Sequence, residues 1–145
     1  MRKETRVQYF LRMFYYWCGR LKLPEIQAIR DNRFVYPCAV WNTDHGTYLL
    51  YNEKLIARQP KYVIINYIFH ELGHLVHNLP YDSYEEKVIS ERKAERFALR
   101  MMKKHYPKMY QEYTYRARKN RMLEYLKEND KVHYDAWKVI REFIP

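Results

Sequence analysis

Along residues 61–77 apolar side chains recur at Ile64, Ile65, Ile68, Leu72, Leu75 and Val76. That 3.6-residue spacing predicts an amphipathic helix with one buried side. Pro60 stands at a natural first helical position, and Asn78-Leu79-Pro80 supplies a stop. A second periodic stretch covers residues 82–105, with a Ser83/Glu86 capping box at its start and Pro107 beyond its end. Tyr84, Val88, Glu91, Glu95, Ala98 and Met102 share one face of it. Residues 35–41 and 47–52 are rich in aromatic and branched side chains and predict two strands, joined by a hairpin turn over residues 42–46 in which His45 is a turn residue. Before them, Val7, Phe10, Leu11, Phe14 and Trp17 mark a helix that Gly19 stops. The pattern as a whole predicts one α+β domain, with a helical arm over residues 1–34, a core over 35–105 and basic helices over 106–145.

Within the first long helix the residues His70-Glu71-Leu72-Gly73-His74 change the picture. Positions i and i+4 lie on one helical face about 6 Å apart, close enough for both imidazoles to hold one tetrahedral zinc. Glu71 projects about 100° away, beside the metal, where it is placed to take the proton of an attacking water. Gly73 costs about 1 kcal/mol against alanine inside a helix, which close approach of another backbone would repay. A catalytic zinc needs a third protein ligand. Glu91 follows His74 by 17 positions, on a stripe that otherwise faces the core. A carboxylate buried alone costs several kcal/mol, so Glu91 and Glu95 each need a partner. A metal would serve Glu91, and a ligand imidazole would serve Glu95. Ala94 and Ala98 are small enough to bring the two helices close. His77 falls about 10.5 Å from His70 along a straight helix, too far to share an ion, and is expected at the rim.

These residues carry a resemblance. Tyr48-Leu49-Leu50-Tyr51-Asn52, then Ile68-Phe69-His70-Glu71-Leu72-Gly73-His74, then Glu91-Arg92-Lys93-Ala94-Glu95-Arg96-Phe97-Ala98 is similar to the ImmA/IrrE family of small metallopeptidases. Those are gluzincins, and SprT-like proteins and other minimal gluzincins share part of the pattern. The resemblance implies a minimal zincin core, in which a small antiparallel sheet packs on an active-site helix and a glutamate-bearing helix. It implies Zn²⁺ held by His70, His74 and Glu91, with Glu71 as general base. Glu95 stands where the family often has Asn or Asp, and Arg100-Met101-Met102-Lys103 replaces its usual L-L-M-P ending. Members act on repressors or regulators. In zincins an edge strand aligns the substrate by strand addition, and Thr47, Tyr48, Leu49, Leu50 and Tyr51 are the expected edge here. Oxyanion support should come from a Tyr or His outside the motif; among 16 tyrosines, with His105 and His133 downstream, spacing singles out none.

Charge adds a second theme. The chain carries a formal net charge of +10, yet residues 37–100 are balanced and the excess lies in the two flanking segments. Tyr110, Tyr113 and Tyr115 interleave with Arg116, Arg118, Lys119 and Arg121, a mixture suited to base stacking and phosphate contact. An acidic protein partner would explain the charge equally well. The rival to an enzyme is therefore a non-catalytic protein, stapled by zinc, that grips nucleic acid or an acidic partner. Cys18 and Cys38 form no C-x-x-C motif and no disulfide framework, which favours a reduced, cytoplasmic setting. No apolar run reaches 18 residues and no signal peptide is legible, so no membrane association is expected.

Overall fold

The computed structural model describes residues 2–138. In chain order the elements are α1 (Arg6–Arg20), β1 (Gln27–Arg30), β2 (Cys38–Thr43), β3 (Gly46–Tyr51), α2 (Glu53–Ala57), α3 (Lys61–His77), α4 (Tyr84–His105), α5 (Pro107–Lys119), α6 (Met122–Asn129) and α7 (Lys131–Trp137). The class is α+β, dominated by helices.

Helix α1 starts where Thr5 and Gln8 form a capping box. One face drives Phe10, Phe14 and Trp17 into the core, each worth roughly 1.5–3 kcal/mol of burial. Trp17 meets Phe69 of α3 edge-on at 4.9 Å and donates its indole N–H to the Tyr106 hydroxyl at 3.0 Å. Helix α3 is thus braced by the N-terminal arm. Tyr110 and Tyr113 of α5 join the same buried cluster.

The sheet departs from the expected antiparallel hairpin in two ways. A third strand, β1, lies within the arm predicted to be helical and pairs parallel with β3, which makes the sheet mixed. The strand order β1-β3-β2 also puts Thr47, Tyr48, Leu49, Leu50 and Tyr51 in the central strand. Both edges of β3 are already hydrogen-bonded, so these residues offer no free edge, and that assignment is corrected. The free edge facing α3 belongs to β2. There the Val40 N–H points away from β3 and donates to Glu71 Oε2 at 2.9 Å. β2 begins at Cys38, three residues later than expected, because Val35 and Tyr36 stay out in solvent. Asp44 and His45 form the hairpin tip, where Gly46 takes a φ of 137° that suits glycine.

Helices α3 and α4 make the closest pairing. A Cβ built on Gly73 would meet Ala94 Cα and O at 3.0 Å and Phe97 Cδ1 at 3.1 Å. Two of those three atoms are backbone, so the helices themselves would have to separate. Gly73→Ala gains about 1 kcal/mol of helix propensity but overpacks a dense interface, at roughly 1–3 kcal/mol. Urea denaturation is expected to show a net loss of about 1 kcal/mol; a stabilised variant would contradict this packing. α3 ends at Asn78 in the left-handed conformation, with its N–H on His74 O.

Candidate metal centre

Helix α3 presents His70 and His74 from adjacent turns, and α4 answers with Glu91. His70 Nε2 is 2.7 Å from Glu91 Oε2, and His74 Nε2 is 3.3 Å from Glu91 Oε1. One ligand atom from each residue lies within 4.8 Å of the others. That spacing and the mixed N/O donor set fit a divalent ion such as zinc. His70 and Glu91 are buried, and His74 is half-buried.

Each imidazole is held from behind. His70 Nδ1 is 2.8 Å from Glu95 Oε2, whose other oxygen accepts from Asn66 Nδ2 at 3.0 Å. Glu95 has no solvent exposure, so its predicted need for a partner is met by the His70 ring and Asn66. His74 Nδ1 lies 3.0 Å from Ser90 Oγ. Supports of this kind fix ring orientation and leave Nε2 facing the centre. Burial alone would lower the pKa of His70, but Glu91 and Glu95 outweigh it and hold the ring well above the ordinary histidine range. Glu91 shows the converse. Burial raises its pKa, yet bonds from His133, His70 and His74 bring it far below the usual carboxylate value.

Glu71 stands apart from the ligands, as its helical angle required. It lines a cleft of about 330 Å³ together with Ala39, Val40, His74, Tyr81 and Glu91. Burial raises its pKa, opposed by His70, His74 and the Val40 N–H.

Two contributors come from outside the predicted set. Tyr81, in the α3–α4 connection, donates to Glu91 Oε1 at 2.6 Å and meets His74 edge-on. His133 of α7 brings Nε2 to 3.4 Å from Glu91 Oε2, while its Nδ1 lies 2.7 Å from Asp130 Oδ2. Neither has a periodic signal. Tyr81 sits in a connection, and His133 reaches the centre only because α7 folds back over α4. The adjacency of Ser90 to Glu91, and of Asn66 to His70 one turn on, was legible in principle.

Other candidates lie elsewhere. His77 is on the rim against Phe97, His45 is at the hairpin tip, and His105 packs on Trp17. Cys18 and Cys38 are buried free thiols. The basic stretch is less of a stacking platform than its sequence promised, because Tyr110 and Tyr113 are buried and only Tyr115 stays exposed. Arg116 is paired with Glu112, Arg121 with Glu124, and Lys119 lies over Tyr115; Arg118 completes the group at the end of α5. Among the described residues no helix is long and apolar enough to cross a membrane.

No protein family, curated protein or solved structure matches this chain. What stands is the cluster of His70, His74 and Glu91 at metal-binding distance.

Proposed function

We propose that the chain is a zinc-dependent endopeptidase of the ImmA/IrrE-like gluzincin kind, acting on a protein substrate such as a regulator or repressor. One observation carries the reading. Beside the three convergent candidate ligands, two imidazoles and one carboxylate, lies a further acidic group, Glu71, that is outside the ligand set, faces the cleft and is steadied by the Val40 N–H. Holding a structural metal does not require such a carboxylate.

Zinc bound there would polarise the scissile carbonyl and acidify the attacking water. Glu71 then removes that water's proton and returns it to the leaving amine. The free edge of β2 lies directly over this carboxylate. An extended peptide pairing with that edge would take over the Val40 N–H, releasing Glu71 to act as base. The substrate-aligning strand is thereby reassigned from β3 to β2. The basic face of α5 and α6 supports the non-catalytic alternative only weakly, since much of it is engaged within the chain.

The test is cleavage of a proteome-derived peptide library by the full chain. New termini are expected with zinc present, absent after treatment with a chelator and restored on reloading. A zinc-loaded protein that generates no new termini in the library, or cleavage indifferent to chelation, would refute the assignment.

A further inference from the structure

The three imidazoles around Glu91 are built alike. His70, His74 and His133 all direct Nε2 at the same carboxylate, at 2.7, 3.3 and 3.4 Å. Behind each ring an oxygen holds Nδ1, from Glu95, Ser90 and Asp130 respectively. The carboxylate behind His133 accepts an Nδ1–H, so that when a metal replaces the proton shared with Glu91 the Nε2 of a neutral ring is the atom presented to it. That pairing typically orients a metal-ligating histidine. Asp130 also caps α7 by accepting the His133 N–H, so ring and helix are positioned by one side chain.

We propose that His133 is a fourth, displaceable protein ligand of the metal centre. The set whose ligand atoms lie within 4.8 Å comprises His70, His74 and Glu91. His133 is not in that set although its Nε2 is 3.4 Å from Glu91 Oε2, so coordination requires α7 to shift inward. The contacts that seat α7 allow such a step. Tyr84 donates to Asp135, Lys131 lies over the Tyr84 ring, and Arg92 reaches the Asp135 carbonyl at 3.4 Å. Those polar contacts lie near the surface and the His133 side chain keeps 30% of its exposure, whereas Ala136 is fully buried and Trp137 packs on Tyr113, so the step is confined to the N-terminal turn of α7 that carries His133. With His133 bound, the centre has four protein ligands and no position for water, which is a resting arrangement. Substrate entry, or withdrawal of α7, reopens it. This last consequence rests on the peptidase reading, whereas the coordination itself does not.

X-ray absorption at the zinc edge decides the matter on the full chain loaded with one equivalent of zinc. The wild type is expected to show three imidazoles and one carboxylate, and His133→Ala two imidazoles with a light-atom ligand in place of the third. Zinc affinity should fall about tenfold or more in His133→Ala. Asp130→Asn keeps a capping side chain but loses the charge on Nδ1, and should lose roughly tenfold. Two imidazoles in the wild type would overturn the proposal and leave the three-ligand centre standing. A wild type that takes up no zinc would overturn both. Where library cleavage is measurable, His133→Ala should cleave faster than wild type; slower cleavage with zinc retained would contradict the resting role.

Discussion

Glu71→Gln is expected to abolish library cleavage, by about 10²–10⁴-fold, the usual contribution of a positioned general base, while zinc content stays at that of wild type. The separation follows from geometry. Among the described residues Glu71 makes no hydrogen bond to the ligand set, and its bond from the Val40 N–H goes to an oxygen that glutamine retains. The variant should therefore fold and load normally while lacking a group that accepts the proton of water. Peptide turnover and elemental analysis on the same preparation read both halves. Full turnover with zinc in place would remove Glu71 from the chemistry.

Glu91→Ala acts on the metal instead. Both motif imidazoles and His133 approach Glu91, and it accepts the Tyr81 hydroxyl as well. Its loss removes an anionic ligand and leaves His70 Nε2 facing a void. Loss of an outer support alone typically costs 10–100-fold in metal affinity, so deletion of the ligand itself should cost at least about 100-fold. Elemental mass spectrometry should find close to one zinc per wild-type chain and almost none in the variant. Stability should respond in two parts. The metal-free variant escapes the cost of burying Glu91 as a charge but opens a cavity in the α3–α4 interface. Zinc should raise the melting temperature of wild type and leave the variant unmoved. Equal zinc in both proteins would dissolve the three-ligand centre.

Much of the centre was readable in the sequence because a helix converts spacing into direction. His70 and His74 share a face by arithmetic. Glu91 and Glu95 announced themselves as charges on an inward stripe, and their low exposure follows from that stripe. Gly73 was legible as a price for close approach, which the 3.0 Å distances to Ala94 account for. The sheet was less readable. β1 has four residues, of which three are exposed, so it carries no alternation to detect. Its partner is some twenty residues away, across a parallel pairing that no turn signals. Without β1, β3 reads as an edge; with it, β3 is central and β2 inherits the exposed flank. His133 lies still further out of reach. Forty-two positions and three helix ends separate it from Glu91, so only the tertiary course of the chain brings it there.

The bond between Val40 and Glu71 has an effect on the colloidal behaviour of the protein. A free strand edge is a template for any extended chain, including another copy of the same protein. Here one of the outward donors of β2 is occupied by the Glu71 carboxylate, which any pairing strand would first have to displace. Residues that occupy edge donors act as gatekeepers against edge-to-edge aggregation, so changes at Glu71 are expected to affect solubility as well as any turnover.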